Sequence, residues 1–597
     1  MIMNNEVNDR IAALREVMKH ENLSAFIFPS TDPHNGEYIP DHWKGREWIS
    51  GFNGSAGTAV VTMNSAALWT DSRYFLAAEE QLNGTEFQLM KLKIPGTPTI
   101  SHWLGEQLRN AGSPEIGVDG MVNSCSSVED LIRDMRREGG ITVRTNIDPL
   151  AQIWKNRPAI PENKIFIQPL EYAGETCVSK IERIRKALRA RHADGILVPG
   201  LDDIAWTLNL RGADVHCNPV FVSYLLISTA RVTLFTNKVK LTTEVSAYLK
   251  ENGIGVDAYE NVEKGLKDYS EYNILLDAEA TNYTLSHCLH CQEIIRGDSP
   301  IPTMKSIKNQ AEIDGYHSAM IKDGIALTKF MAWLKPAVEA GGQTEISLDE
   351  MLTGLRAAQP LFRGISFDTI AGYEKHGAIV HYEATPETDI PVEPHGLILI
   401  DSGAQYIDGT TDITRTVALG PITEEQRHIY TLVLKGHIQL ELCRFPAGAC
   451  GSQLDALARR DMWREGYNFL HGTGHGVGAF LNVHEGPHQI RMEWMPAQLM
   501  AGMTVTDEPG LYLTGKFGVR TENTLLIVPF KKTEFGEFLQ FETLTLCPID
   551  TTPIDMSMML PEEISWLNDY HQMVYEKLYQ HLDDEEKTWL RNATKPI

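Results

Sequence analysis

The chain has 597 residues, 43% of them hydrophobic and 22% charged, which is the balance of an ordinary globular protein, and at this length three or four domains are expected. Its formal net charge of −25 speaks against a nucleic-acid partner or an anionic membrane, since both need clustered Lys and Arg to neutralise phosphate. No apolar run reaches the roughly eighteen residues of a membrane span, no basic-then-apolar leader opens the chain, and eight sparse cysteines read as reduced thiols, so a soluble cytoplasmic protein is expected.

Two proline-bearing segments, 156–164 (NRPAIPENK) and 297–305 (GDSPIPTMK), mark boundaries and divide the chain into domains 1–157, 158–303 and 304–597. The first domain opens with an amphipathic helix carrying Ile11, Leu14, Val17 and Met18, then a short apolar strand that ends in proline (AFIFP, 25–29). The second repeats this pattern with Ile181, Ile184, Ala187 and Leu188, then GILVP (195–199). Further strand-like runs follow in both, GTAVVTM (57–63) and RVTLFT (231–236). Helices alternating with short buried strands predict α/β layers, and two like segments predict a duplicated domain. GFNGSAG (51–57) lacks the Lys-Ser/Thr of a phosphate loop and reads as a turn. SHCLHC (286–291) has one CxxC without a second pair at zinc spacing, and reads as thiols in a helix.

The third domain begins with a long helix from about Gln310, its buried face marked by Ile313, Tyr316, Met320, Leu327, Phe330 and Leu334. Strand-like runs follow at 396–402, 412–419, 503–509 and 523–529. They predict an α+β domain with helices on one side of a mainly antiparallel sheet. From Pro561 to about Leu590 a docking helix is expected, with DDEE (583–586) as a solvated face.

Within this domain stand five residues in separate short contexts: Asp401 (LILIDSGAQ), Asp412 (GTTDITRT), His475 (HGTGHGVG), Glu508 (VTDEPG) and Glu522 (VRTENT). Any one alone reads as a surface or cap residue. Together, four carboxylates and an imidazole suit a pair of Mn, Co or Zn ions. Two such ions about 3.5–4 Å apart can share a hydroxide that is nucleophilic at neutral pH. Asp401 ends one apolar strand and Asp412 begins the next, so antiparallel folding about the Asp408-Gly409 turn brings their carboxylates together. His471 and His475 are four apart, but the glycines between them exclude a helical HExxH site and instead allow close backbone approach. The GxGxxA string there lacks a surrounding βαβ unit, so it is not a dinucleotide fingerprint. His381 (AIVHYEAT) is expected inside an apolar strand, and His484 (NVHEGP) ahead of a Gly-Pro turn.

On these motifs the third domain resembles the pita-bread metallopeptidases, the group of methionine aminopeptidase, prolidase, creatinase and aminopeptidase P. DSGAQYIDGTTDITRT, LHGTGHGVGAFLNVHEGP and TDEPG with RTEN are similar to the cytosolic-type aminopeptidase P (Xaa-Pro aminopeptidase) branch. IWKNRPAIP, WTDSRYF (69–75) and the three-part layout extend the likeness over nearly the whole chain. The resemblance implies two related creatinase-like N-terminal α/β domains before a pita-bread catalytic domain with a C-terminal helical extension. It implies that Asp412 and Glu522 bridge two divalent ions, that Asp401 holds one, and that His475 and Glu508 hold the other. Mn2+ is the usual metal, with Zn2+ or Co2+ as substitutes. His381, His471 and His484 match positions that contact substrate and intermediate, Glu508 that of a proton acceptor, and Arg73 a substrate-contacting arginine.

The implied reaction is hydrolysis of the N-terminal Xaa-Pro bond of oligopeptides with proline second, by a metal-activated hydroxide, in a homodimer. Ile407, Thr521 and the stretch 488–498 depart from the family pattern and bear on substrate preference. A prolidase-like dipeptidase and a creatinase-like amidinohydrolase are the competing enzyme readings. A relative that keeps the fold only for binding lacks the metal ligands, whereas all five are present here.

Overall fold

Short runs of apolar residues, buried on both faces, form the centre of two separate sheets in the first three hundred positions. The computed structural model describes residues 4–267, 269 and 272–597. In the first sheet the strands lie in the order Phe87–Lys91, Ala66–Thr70, Thr58–Thr62, Ala25–Phe28, Glu115–Val118, Thr142–Arg144. In the second the order is Ile254–Asp257, Val232–Phe235, Tyr224–Ser228, Gly195–Val198, Asn273–Leu276, Glu293–Arg296. Strand for strand, the chain order and the parallel or antiparallel sense of each pairing are the same in both. The repeat read from the two helix–strand–proline segments is therefore a repeat of topology. Ile11, Leu14 and Met18 of helix Asn4–His20 are buried against the first sheet, and Ile181, Ile184 and Leu188 of helix Cys177–Ala190 are buried in the second half.

Both sheets belong to one compact unit, Met1–Gln168 with Glu175–Ile301; the other unit is Pro169–Gly174 with Pro302–Ile597. Helix Tyr283–His287 stops before either cysteine of SHCLHC, and none of the eight cysteines is in a disulfide. Among the described residues, no helix is long and apolar enough to cross a membrane.

The long helix of the second unit is Gln310–Ala340, started by a capping box between Asn309 and Glu312. Tyr316 on its buried face donates to the carbonyl of Val477 at 2.7 Å, which ties the helix to the glycine-rich segment. The strands do not make one sheet. They form several small antiparallel ones, including Ile370–Tyr373, Leu397–Ser402 and Ile413–Ala418, and a four-stranded sheet of Arg444–Pro446, Gly536–Thr543, Asn523–Thr533 and Thr504–Asp507. Between Leu397–Ser402 and Ile413–Ala418 the chain folds out an inner hairpin, Ala404–Tyr406 with Gly409–Thr410. The Asp408-Gly409 turn closes this inner hairpin rather than the strand pair that carries the two aspartates.

The C-terminal docking segment is two helices, Pro561–Leu578 and Asp584–Ala593, where one was expected. Asp583 accepts N–H bonds from Glu585 and Glu586, so the acidic run starts the second helix instead of lining a face. Leu567, Val574 and Leu578 are buried in the core. Arg415 links this end to the sheet strands: its Nη2 meets Tyr570 Oη, Cys547 O and Asn523 Oδ1, each at 2.8 Å, and its Nη1 reaches Glu522 O at 2.6 Å.

Candidate metal centre

Antiparallel pairing brings the five residues to strand ends. Asp401 is the penultimate residue of Leu397–Ser402, whose partner strand Ile413–Ala418 starts directly after Asp412; Asp401 pairs with Thr414 and Ser402 with Ile413. Glu508 follows strand Thr504–Asp507 and Glu522 precedes Asn523–Thr533, with Asp507 opposite Asn523. A 3.4 Å hydrogen bond from Thr521 N–H to Pro509 O carries that pairing past both glutamates. His475 is the middle residue of the short strand Gly474–Gly476. A Cβ on Gly474 would lie 1.8 Å from Thr506 O, and one on Gly476 2.5 Å from Glu485 O, so these glycines permit the approach.

The ligating atoms of Asp412, His475 and Glu522 all lie within 4.8 Å of one another. His475 Nε2 is 3.5 Å from Asp412 Oδ2 and 3.4 Å from Glu508 Oε1. Its Nδ1 lies 2.9 Å from Gly476 O, which can only accept; Nδ1 therefore carries the hydrogen and Nε2 turns its lone pair toward the carboxylates. His484 stands edge-on to His475, ring centres 4.3 Å apart.

Asp401 takes two hydrogen bonds from Arg520, from Nε at 3.2 Å and Nη2 at 2.5 Å, both on Oδ2, while its buried Oδ1 has no hydrogen-bond partner. Glu522 Oε2 accepts from Thr414 Oγ1 at 2.7 Å, and Glu508 Oε1 from Thr506 Oγ1 at 3.4 Å. Burial, then the charges of Asp401 and Glu508, push the Asp412 carboxyl well above its ordinary range. Burial, Asp412, Asp401 and Glu508 do the same to Glu522. Burial raises Glu508 to about 7 against the lowering effect of Arg520. Burial alone would depress the Arg520 guanidinium, but Tyr512, Asp401, Glu508 and Glu522 outweigh it and hold Arg520 firmly charged. Four carboxylates crowded beside one guanidinium, an imidazole nitrogen turned toward them and an orphaned buried Asp401 oxygen form a donor set that fits divalent cations.

Arg520 and Tyr512 were not singled out from the sequence. Arg520 Nη1 donates to Tyr512 Oη at 2.7 Å, and the Tyr512 hydroxyl meets His471 Nε2 at 2.9 Å; His471 Nδ1 lies 2.7 Å from Gly472 O. The only available signal was proximity, since Arg520 stands two residues before Glu522 in VRTENT. His381 is not in a strand; it sits in a turn after the 3-10 helix Glu374–Ala378, beside Val380, whose carbonyl is 3.4 Å from Arg520 Nη1. The Gly486-Pro487 step after His484 is likewise no turn but part of strand Glu485–Ile490. Arg73 belongs to the first unit, where it grips Asp71 through Nε at 2.9 Å and Nη2 at 2.8 Å.

Comparisons with known proteins fit this architecture. The sequence pattern of metallopeptidase family M24 matches residues 314–529, its C-terminal region matches 537–597, and the creatinase/prolidase N-terminal domain pattern matches twice, over 10–143 and 156–312. Fold and site thus define a metallopeptidase of the M24 pita-bread class with two creatinase-like domains before it. The chain is 38% identical to Xaa-Pro aminopeptidase 1 of Dictyostelium discoideum over 614 residues, covering 99% of this chain and 97% of that one. It is 39% identical to a probable Xaa-Pro aminopeptidase P of Paracoccidioides brasiliensis, covering 99% of both.

Among solved structures, X-prolyl aminopeptidase from Caenorhabditis elegans, described as a cytosolic enzyme with a di-nuclear active site, superposes with a TM-score of 0.95 at 33% identity, over 99% of this chain and 100% of that one. A Xaa-Pro dipeptidase from Bacillus anthracis matches with a TM-score of 0.51 at 26% identity, over 63% of this chain and 99% of its own. The chain belongs to the Xaa-Pro aminopeptidase family, and it is a hydrolase of that family.

Proposed function

We propose that the protein is a dinuclear metallo-aminopeptidase that releases the first residue of oligopeptides with proline in second position, with Asp401, Asp412, His475, Glu508 and Glu522 as its metal ligands. The observation that carries this reading is the convergence of Asp412, His475 and Glu522 within 4.8 Å, beside an Asp401 oxygen that nothing else satisfies. Bound there, two divalent ions supply Lewis acidity toward the scissile carbonyl and make water acidic enough to ionise at neutral pH. Mn2+ is the proposed metal, with Co2+ or Zn2+ as substitutes, because the donor set is rich in oxygen and has one imidazole.

The chain's own groups do the rest. Glu508 is placed to accept a proton from the attacking water and return it to the leaving amine. His484 and His381 are the proposed hydrogen-bond donors to the oxygen that gains charge in the transition state. His471, held by Tyr512, orients the peptide. A substrate bond to proline has no N–H to offer, so recognition through this acid- and imidazole-lined centre does not depend on that donor. The reading includes a substrate contact from Arg73, a homodimer, a cytoplasmic location and the domain division 1–157, 158–303 and 304–597.

The test is metal analysis combined with a peptide panel. Two equivalents of metal, with cleavage of Xaa-Pro-Xaa but little of Xaa-Ala-Xaa or the Xaa-Pro dipeptide, are expected. Preferred cleavage of the dipeptide would assign a prolidase-like activity instead. Asp412→Asn should lose metal and activity while staying folded; full activity in that variant would exclude the dinuclear reading.

A further inference from the structure

Glu508 and Glu522 each have a chain neighbour that side-chain alternation turns to the opposite face: Asp507 and Asn523, which are register partners. Both are fully buried, and both meet the last turn of helix Glu424–Glu441. His437 Nδ1 lies 3.2 Å from Asp507 O and 3.2 Å from Asp507 Oδ2. Asn523 Nδ2 lies 3.2 Å from His437 Nε2 and 2.8 Å from Glu441 Oε1. Glu441 Oε2 accepts from Thr543 Oγ1 at 2.5 Å, and Asn523 Oδ1 accepts from Arg415 Nη2 at 2.8 Å. His437 and Glu441 are four apart on one face of the helix, so a single helical turn holds both members of the strand pair.

His437, Glu441 and Asp507 also have ligating atoms within 4.8 Å of one another, which raises a third cation as their occupant. The neighbouring groups argue against it. The Asn523 amide projects its N–H groups between His437 Nε2 and Glu441, and the Arg415 guanidinium stands directly behind Asn523. A cation would meet hydrogens and a fixed positive charge where it needs lone pairs. The cluster is a closed hydrogen-bonded bracket. Its one unsatisfied member is the Asp507 carboxylate, neither oxygen of which has a hydrogen-bond partner, while His437 Nδ1 bonds the Asp507 carbonyl and stands 3.2 Å from Oδ2.

We propose that His437 is a positioning residue for the metal centre: with Glu441 it clamps Asp507 and Asn523, and thereby fixes the separation of the adjoining Glu508 and Glu522. The proposal rests on the reading of those two glutamates as metal ligands. Groups that orient ligands typically cost about 10–100-fold in metal affinity when removed.

His437→Gln places its amide near the Nε2 position and leaves Asp507 without its donor; His437→Asn places an N–H donor at the Nδ1 position. MnCl2 is titrated calorimetrically into metal-stripped full-length protein, and the visible absorption of the Co2+-loaded protein is recorded. Expected is metal binding weakened by about 10–100-fold with an altered Co2+ spectrum in His437→Gln, and recovery of most of both in His437→Asn. A folded His437→Gln with wild-type affinity and spectrum overturns the proposal, and so does a His437→Asn as defective as His437→Gln. Should neither variant fold, Thr543→Val, which removes only the outer donor to Glu441, should weaken metal binding several-fold, and unchanged binding there overturns the proposal. Glu522→Gln separates the two failures. If it keeps wild-type metal affinity, the ligand reading falls; if it loses metal while His437→Gln does not, only the bracket falls.

Discussion

Thr414 shows how much of the centre's precision depends on a single hydroxyl. Its Oγ1 donates to Glu522 Oε2 at 2.7 Å and lies 3.1 Å from Arg520 Nε, so it aligns one candidate ligand and the partner of another. Thr414→Val keeps the shape and removes both bonds. It should lower metal affinity by about tenfold while shifting the melting temperature little, as read by Mn2+ titration and thermal unfolding. Wild-type affinity in this variant would deny the hydroxyl any role in alignment. His484→Ala makes the complementary case. It should reduce kcat by roughly 10²-fold with two metals still bound, and loss of metal together with turnover would mark His484 as a ligand. The five ligand candidates were legible in the sequence because each stands at a strand end or turn, in an order and in contexts that resemble a known family. Arg520, Tyr512 and Asn523 were not, because their roles depend on which strands become neighbours, and register over a hundred residues leaves no local trace.

At the level of elements, the same limit explains what the sequence concealed. The apolar runs at 25–28, 195–198 and 397–402 announce buried strands, since a run without alternation has few other fates. The inner hairpin of Ala404–Tyr406 and Gly409–Thr410 was hidden because its turn signal served equally well for a simple two-strand connection. The break at 579–583 was hidden because apolar spacing continues across it into the final helix.

Helix Pro561–Leu578 also carries a pH-sensitive contact. His571 is buried, and its Nε2 accepts the Ile549 N–H at 3.1 Å, so only the neutral ring satisfies the site. Burial, then the charge of Arg415, pushes its pKa down from 6.5 to about 4. The unfolded chain takes up this proton first; the contribution is therefore complete above pH 6.5 and is lost as pH falls toward 4. His571→Gln, whose side-chain oxygen can accept the same N–H, should lose less stability between pH 6.5 and 4 than the wild type. The difference, on the order of 2–3 kcal/mol, is measured by denaturant unfolding at each pH. Equal losses would remove His571 from the acid response.

Taken whole, the molecule divides its tasks between two units with separate cores, and all five ligand candidates lie in the second. A ligand that binds only the folded form of one unit stabilises that unit, by about 2.7 kcal/mol at a hundredfold excess over Kd. Mn2+ should therefore raise one calorimetric transition and slow amide exchange around 401–412 and 475–522, leaving the strands of the first two sheets unchanged. Equal protection in both units would show that they unfold as one. The reach of Arg415 adds a temporal dimension. It joins the carbonyl of Glu522 to Tyr570, on a helix that leaves the ribosome after every candidate ligand has been made. Until that helix docks, Arg415 lacks its Tyr570 partner, and the end of strand Asn523–Thr533 next to Glu522 is held less firmly. A nascent or prematurely halted chain would therefore contain all five ligand candidates yet hold metal poorly, so that metal capture reports completed synthesis of the catalytic unit.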